Sequence, residues 1–248
     1  MIKAVILSAG QGTRLAPLTK DRPKCLVEVL GKPVLGWQID ALAAAGVDEV
    51  VVVTGFQDHL IDEYLDGLNY PHMTFRTLYN PFFKVSDNLA TCWMAREEFQ
   101  GTCLLINGDT LFSTEIAKSL ITAQSAPVTI TIDQKDDPYD DDDMKVQLDG
   151  AYLQNVGKTL PMDIVTGEAI GMIRFNHAGG AAFAEVLERH MRQQTGVKKW
   201  YLSAVAELAT ERLVKWHSIK GHIWGELDDH ADLEIAEKLL AQPQFKAA

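Results

Sequence analysis

A short apolar run, Ala4-Val5-Ile6, leads directly into Leu7-Ser8-Ala9-Gly10-Gln11-Gly12-Thr13-Arg14-Leu15. The stretch continues through Pro17-Leu18-Thr19 and Arg22-Pro23-Lys24-Cys25-Leu26. A buried strand followed at once by a glycine-rich turn is typical of an α/β fold in which the turn approaches a ligand. The stretch therefore predicts the first strand of such a fold and a binding turn at its carboxyl end.

The spacing of the glycines excludes two common phosphate-binding motifs. A Walker loop needs GxxxxGK[ST], and position 15 is Leu where a dinucleotide fingerprint needs a third Gly. Arg14 and Lys24 carry charges that suit phosphate oxygens, and the two glycines let backbone N–H groups point at a ligand. We interpret the stretch as a triphosphate cradle; the alternative is a glycine turn flanked by two solvated cations.

Composition excludes several classes of protein. The chain has 248 residues, of which 47% are hydrophobic, so it can enclose a substantial core. Its formal net charge of −11 argues against a nucleic-acid partner. The 3 cysteines lack CxxC spacing, which argues against a disulfide framework or a zinc site. We find neither a membrane-spanning run nor a signal segment, so we expect no membrane partner and a cytoplasmic location.

Strands and helices are predicted to alternate along the first half of the chain. The predicted strands there are 4–7, 49–53, 73–78 and 102–106, and the predicted helices are 33–45, 57–65, 86–99 and 113–124. Crossover connections of this kind imply parallel pairing. From residue 128 onward, turns become tighter, with predicted strands at 128–133, 144–148, 151–156, 169–175, 214–219 and 222–224 and helices at 181–194 and 202–208. The expected sheet is therefore mixed.

In these motifs the sequence resembles the nucleotidyltransferases that activate sugar 1-phosphates and small alkyl phosphates. The elements that carry the resemblance are Gly10-Gln11-Gly12-Thr13-Arg14-Leu15, Pro17-Leu18-Thr19, Pro23-Lys24, Leu104-Leu105-Ile106-Asn107-Gly108-Asp109 and Glu226-Leu227-Asp228. Further local features resemble the phosphocholine and inositol-phosphate cytidylyltransferase branch, namely Asn80-Pro81-Phe82-Phe83 with Asp87-Asn88-Leu89, then Asp143-Met144-Lys145-Val146, and Gly167-Glu168-Ala169-Ile170-Gly171.

The resemblance implies a Rossmann-like three-layer α/β/α fold with a mixed, mainly parallel central sheet and a smaller β-rich part that binds the acceptor. We find no repeat and no long linker, so we expect a single domain over residues 1–248. Its nucleotide-binding half is expected over about 1–125 and its acceptor-binding half over about 126–248. The oligomeric state stays open, with a homodimer as one option.

The resemblance also implies roles for individual residues. Arg14 and Lys24 are the expected catalytic cations, and the nucleotide is expected to contact Leu7, Ala9, Gly10, Gln11, Gly12, Thr13, Arg14, Lys24 and Gly108. Asp109 and Asp228 are the expected ligands of Mg²⁺, although Glu226 or Asp229 could share the second position. For Asp109, its place at the end of a predicted parallel strand supports a site role independently.

Three residues are expected to bind the acceptor. Asn88 and Glu168 lie in the segments that resemble the cytidylyltransferase branch. Lys158 matches a second signature lysine, although the acidic residue before it and the proline after it are absent here. The run from Asp140 to Asp143 is interpreted as a solvated loop, because blocks of like charge are usually exposed.

The expected activity is an Mg²⁺-dependent transfer of a nucleotidyl group to a small phosphate or phosphonate such as phosphocholine, with CTP as the favoured nucleotide. One alternative is a sugar-1-phosphate nucleotidyltransferase that uses UTP, dTTP or GTP. An alternative of another class is a nucleotide-binding regulatory subunit without turnover. The presence of Arg14, Lys24, Asp109 and Asp228 together argues against the last one.

Overall fold

The computed structural model describes residues 1–124, 126–136 and 138–245. The strands of the described residues are β1 (Ile2–Ser8), β2 (Glu28–Val29), β3 (Lys32–Pro33), β4 (Glu49–Thr54), β5 (Thr74–Tyr79), β6 (Thr102–Asn107), β7 (Thr110–Phe112), β8 (Val128–Asp133), β9 (Lys145–Asp149), β10 (Tyr152–Val156), β11 (Gly167–Phe175), β12 (Val214–Ser218) and β13 (Trp224–Glu226). The helices are α1 (Val34–Ala44), α2 (Asp58–Asp66), α3 (Asn88–Met94), α4 (Thr114–Thr122), α5 (His177–Met191), α6 (Leu202–Thr210) and α7 (His230–Leu240).

The chain divides into two compact units, each assembled from separate segments. The first unit contains Met1–Lys84, Ile106–Ile121 and the chain from His222 onward. The second contains Val85–Leu105 and Thr122–Gly221. Our expectation of a single domain with halves that meet at residues 125 and 126 stays a prediction, and Ser125 itself lies outside the described residues.

Parallel strands form the centre of the first unit. β4 lies between β1 and β5 and pairs in parallel with both, so that Glu49 is opposite Lys3 on one side and Thr74 on the other. Its sequence, EVVVVT, contains an unbroken run of four valines, all of them fully buried. Such a run is typical of a strand covered on both faces.

Two short antiparallel pairs complete the first unit, β2 with β3 and β7 with β13. A hydrophobic core cluster packs the binding stretch against β7 and α7. Its buried members are Leu15, Val27, Val29, Val34, Leu111, Leu227, Ala236, Leu239 and Leu240. Residues from the first 34 positions and residues after position 226 therefore share one core.

The second unit contains a mixed sheet. β8 pairs antiparallel with β11 and parallel with β12, while β10 pairs antiparallel with both β9 and β12. Three buried rings, Phe99, Phe175 and Phe183, pack with centroids 4.8–5.3 Å apart and join α5 to β11. These contacts are favourable beyond the burial of apolar area alone.

The predicted α/β class with a mixed sheet is confirmed, and several boundaries move. The predicted helix 86–99 is interrupted: α3 ends at Met94 and a 3₁₀ turn occupies Arg96–Phe99. The predicted helix 181–194 begins earlier, at His177, because the Asn176 side chain accepts a hydrogen bond from Gly179 N and caps it. The short strands β2, β3 and β7 were not predicted, since two or three residues carry no readable periodicity.

All three cysteines, Cys25, Cys92 and Cys103, are buried free thiols. Burial raises the pKa of the Cys25 thiol to about 12, so this thiol is protonated at neutral pH. Within the described ranges, every helix is too short or too polar to cross a bilayer.

Candidate active site

Asp109 lies in the turn between β6 and β7. The glycine at position 108 allows this turn to pack closely against β1. Gly108 N donates a hydrogen bond to Leu7 O at 3.0 Å, so the turn lies directly against the end of β1. A Cβ atom at position 108 would lie 2.5 Å from both Leu7 O and Ser8 Oγ. The backbone could not approach β1 this closely with any larger residue.

Gln38 holds the same turn from α1. Its Nε2 donates hydrogen bonds to Asn107 O and Thr110 O, each at 2.8 Å, and so fixes the backbone on both sides of Asp109. Sequence reasoning missed Gln38, whose only signal is one amide in the apolar helix sequence VLGWQIDALAA. The side chain is 1% exposed, and a buried amide of this kind generally has a hydrogen-bonding task.

The antiparallel pairing of β7 with β13 brings Asp228 close to Asp109. Glu226 is paired with Thr110, and Leu227 N donates to Asp109 O at 3.1 Å. The carboxylate of Asp232 then accepts hydrogen bonds from Asp228 N at 2.6 Å and Asp229 N at 2.9 Å. Both aspartates of the proposed metal pair are therefore carried by backbone that is fixed on each side.

Asp229, which we considered as an alternative second metal ligand, has a different task in the structure. It is the N-cap of α7, and its Oδ1 accepts hydrogen bonds from Ala231 N at 2.8 Å and Asp232 N at 3.4 Å. Together with Asp232 it forms a capping box.

Lys24 joins the two carboxylates. Its Nζ donates to Asp109 Oδ2 at 2.7 Å and to Asp228 Oδ1 at 2.6 Å, and Arg14 Nη2 lies 3.0 Å from the same Asp228 oxygen. We call Arg14, Lys24, Asp109 and Asp228 the charged cluster. The side chains of Lys24, Asp109 and Asp228 are 14%, 25% and 28% exposed, whereas that of Arg14 is 63% exposed.

The electrostatics of the charged cluster follow from this geometry. Burial favours the neutral form of Lys24, but the Asp109 and Asp228 carboxylates outweigh it and raise the pKa of the ammonium above its ordinary value. For Asp228, burial acts in the opposite direction to its cations, and Lys24 and Arg14 outweigh it and lower the pKa of the carboxyl. Lys24 and Asp228 therefore stay ionised at neutral pH. The four formal charges of the cluster, two positive and two negative, sum to zero.

The carboxylates of the cluster fit a hard divalent cation. Asp109 Oδ1 is buried without a hydrogen-bond partner, which leaves one oxygen free to bind a ligand. In the described part of the chain, no group of three or more His, Cys, Asp or Glu side chains is arranged to hold a metal. Mg²⁺ commonly binds one or two carboxylates and completes its shell with phosphate oxygens and water, so Asp109 and Asp228 suffice.

The glycine turn lies beside Lys24. Gly12 has a φ of 74°, in the left-handed region that favours glycine, and a Cβ atom there would lie 2.8–3.0 Å from three carbons of the Lys24 stem. Thr19 Oγ1 donates to Gly12 O at 2.7 Å, and Gln11 Nε2 donates to Thr19 O at 3.1 Å. These two hydrogen bonds hold the glycine turn against the Thr19 segment of the same loop.

The other residues expected to touch nucleotide lie at the end of β1 or in the glycine turn that follows it. Leu7 is in β1, Ala9 is buried and accepts a hydrogen bond from Phe56 N, and Gly10 and Thr13 are exposed. Their role in nucleotide binding stays a prediction.

The three residues expected to bind the acceptor lie in the second unit. Asn88 Oδ1 accepts a hydrogen bond from Tyr201 N at 2.9 Å, and Lys158 Nζ lies 5.4 Å from the centroid of the Trp200 ring. Both residues therefore contact the segment that precedes α6. Their role in acceptor binding stays a prediction.

Glu168 lies in a group of three ionisable side chains with Lys135 and Asp143. Lys135 Nζ lies 2.7 Å from Asp143 Oδ2 and 3.1 Å from Glu168 Oε2. Burial, and then the neighbouring Asp143 carboxyl, raise the pKa of Glu168 to about 7, although Lys135 acts against the shift. Our interpretation of 140–143 as a solvated loop is wrong for Asp143, whose side chain is only 16% exposed because it pairs with Lys135.

Comparison with known proteins identifies the class. The nucleotidyl transferase family matches residues 3–140, more than half of the chain, so the protein belongs to this family. The resemblance found in the sequence is confirmed.

Among its relatives, CTP:phosphoglutamine cytidylyltransferase of Campylobacter jejuni is 26% identical over 255 residues, which cover 94% of this chain and 98% of that protein. CMP-5'-(3-aminopropyl)phosphonate synthase of Streptomyces rubellomurinus is 35% identical over 125 residues, 50% of this chain but only 20% of that protein. The solved structure of CTP:phosphocholine cytidylyltransferase from Streptococcus pneumoniae has the same fold, with a TM-score of 0.77, 21% identity and coverage of 96% and 99% of the two chains.

Replacement of Gln38 by Met tests how the Asp109 turn is held. We expect the free energy of unfolding to fall by roughly 2 kcal/mol, because the carbonyl groups of Asn107 and Thr110 each lose a hydrogen bond from Gln38. We also expect the Mg²⁺ concentration for half-maximal turnover to rise, since Asp109 is less well fixed. Urea denaturation and an Mg²⁺ titration measure the two effects, with exposed Gln242→Met as the control. Unchanged stability and Mg²⁺ dependence would contradict this role.

Glu168 provides a prediction on pH dependence. Its pKa is raised from 4.5 to about 7 in the folded protein, so the folded state binds the proton more tightly than the unfolded state. Its stabilising contribution is therefore complete below pH 4.5 and lost as pH rises through about 7. Relative to the natural protein, Glu168→Gln should gain stability over that window and no further above it. Urea denaturation from pH 5 to 8 measures the difference, with exposed Glu234→Gln as control, and parallel curves for Glu168→Gln and the natural protein would refute it.

Proposed function

We propose that this protein transfers CMP from CTP to a small acceptor that carries a phosphate or phosphonate group, with release of pyrophosphate. The observation that carries the proposal is the charged cluster, in which contacts of 2.6–3.0 Å connect two carboxylates suited to Mg²⁺ with two cations suited to phosphate. A regulatory nucleotide site would not require both sets of groups. The membership of the nucleotidyl transferase family supports the same reaction class.

The reaction forms one P–O bond and breaks another. An oxygen of the acceptor phosphate or phosphonate attacks the α-phosphorus of CTP in line, and the bond from the α-phosphorus to the bridging oxygen of pyrophosphate breaks. The attacking group is already an anion at neutral pH, so no protein base has to remove a proton. Catalysis then consists of positioning the two anions and neutralising charge that develops on the phosphate oxygens.

Within this mechanism, the residues of the first unit divide the work. Lys24 would contact the α-phosphate or the attacking group, and the more exposed Arg14 would contact the β- and γ-phosphates. The glycine turn around Gly12 would direct backbone N–H groups at the triphosphate. Asp109 and Asp228 would hold Mg²⁺, which supplies Lewis-acid polarisation of phosphate oxygens when bound.

The choice of CTP and of the acceptor class is supported by the relatives. Two of them are named for CTP and one for a CMP product, and their names contain phosphoglutamine, an aminopropylphosphonate and phosphocholine. Each of these is a small molecule with a phosphorus group and a nitrogen. In the second unit, Lys158 would provide a cation for the acceptor's phosphorus group, with Asn88 and Glu168 as further contacts. The free buried cysteines fit a cytoplasmic location for this reaction.

A substrate grid tests the proposal. Pyrophosphate release is measured with Mg²⁺ for CTP, UTP, GTP, ATP and dTTP, each with phosphocholine, 2-aminoethylphosphonate, inositol phosphate and several sugar 1-phosphates. We expect turnover with CTP and one of the small acceptors. Turnover with sugar 1-phosphates alone would replace the proposal by a sugar-1-phosphate nucleotidyltransferase. Silence throughout, with CTP still raising the melting temperature, would favour a regulatory subunit.

Asp109→Asn tests the site itself. The substitution keeps the size of the side chain but removes the charge that holds Mg²⁺, so we expect turnover to fall by roughly 10²-fold or more. The substituted protein should remain folded in thermal melting. Exposed Asp66→Asn is the matched control. A folded Asp109→Asn protein with full activity would remove Asp109 from the site.

A further inference from the structure

We infer that Lys24 is an internal competitor of the divalent cation, so that the carboxylate pair takes up metal strongly only when a triphosphate accepts the Lys24 ammonium. This inference rests on the proposed function, because it assigns the metal and the triphosphate to the same charged cluster.

The geometry supports direct competition. Lys24 Nζ donates hydrogen bonds to Asp109 Oδ2 and Asp228 Oδ1 at 2.7 and 2.6 Å, so the ammonium lies between the two carboxylates. A divalent cation held by Asp109 and Asp228 would depend on the same two carboxylates that the ammonium already occupies. The ammonium and the metal ion would therefore compete for these carboxylates, since both are positively charged.

The packing of Lys24 keeps the ammonium in this place. Its stem lies against Gly12, where a Cβ atom would be 2.8–3.0 Å from three of its carbons. Its side chain is only 14% exposed, so water screens the two ion pairs incompletely. The bonds to both carboxylates are therefore stronger than those of an ordinary surface lysine.

The charge balance makes metal uptake conditional. Arg14 and Lys24 already neutralise Asp109 and Asp228, so a free divalent cation would give the cluster an excess of two positive charges. A bound triphosphate brings several negative charges and offers oxygen acceptors to both cations. Once Lys24 donates to a phosphate, both carboxylates lose a counterion and become strong ligands for the metal.

Mn²⁺ binding without nucleotide tests the competition. Free Mn²⁺ is followed by electron paramagnetic resonance during titration of the full chain and of Lys24→Met. We expect the Lys24→Met protein to bind Mn²⁺ about tenfold more tightly or better, because the carboxylates lose their internal counterion. Exposed Lys20→Met is the matched control and should bind Mn²⁺ as the unsubstituted chain does.

Two further titrations complete the test. Adding Asp109→Asn to Lys24→Met should abolish the gain, since the new affinity depends on that carboxylate. An α,β-methylene analogue of CTP should tighten Mn²⁺ binding to the unsubstituted chain. In Lys24→Met the analogue should tighten it by a smaller factor, because no lysine remains to be released from the carboxylates.

Several outcomes overturn the inference. Equal Mn²⁺ affinity for the folded Lys24→Met protein and the unsubstituted chain would mean that the metal binds without displacing Lys24, for instance through Asp109 Oδ1 alone. If Lys24→Met melts early, Lys24→Gln is used in its place, and a thermal shift with Mn²⁺ that is no larger than that of the unsubstituted chain overturns the inference as well. Failure of the proposed reaction is seen separately, as silence in the substrate grid while the Mn²⁺ gain persists.

Discussion

The shared ammonium of Lys24 is the interaction on which the first unit's site depends. Its two carboxylate partners lie 85 and 204 positions away along the chain. Two half-buried carboxylates that face one position repel each other, and a cation between them removes this cost. Removal of any one of the four charged side chains would leave another charge without its counterion in a site that water screens poorly. The rest of the unit must therefore hold the four side chains close together.

The apolar core provides that support. Each charged residue of the cluster lies one to three positions from a buried residue of the core cluster: Leu15 follows Arg14, Val27 follows Lys24, Leu111 follows Asp109 and Leu227 precedes Asp228. The buried neighbours fix the backbone while the charged ends remain accessible. Gln38 and the Asp232 carboxylate add hydrogen bonds to the backbone of the turns that carry Asp109 and Asp228. Apolar packing alone would not fix the orientation of these turns.

A buried lysine has a comparable task in the second unit. Lys145 is 2% exposed, and its ammonium donates to the carbonyl groups of Asp140, Asp141 and Lys158. It thereby connects the acidic loop with the backbone of the lysine that we assign to the acceptor. Sequence reasoning interpreted the acidic loop from its composition alone. Lys145 of the following strand and Lys135 both bind this loop, and composition does not reveal either contact.

The class of the protein, most of its strands and helices, and the members of the charged cluster could be predicted from the order of the amino acids. Glycine spacing, β-branched runs and the Asp after a buried strand are local signals, because each reflects the backbone or burial demands of its own segment. The three-dimensional fold was needed to show that Lys24 lies between the two aspartates, that Gln38 holds the Asp109 turn and that Asp229 caps α7. Those facts depend on strand pairing and core packing between distant segments, and such contacts leave no periodic trace in the sequence.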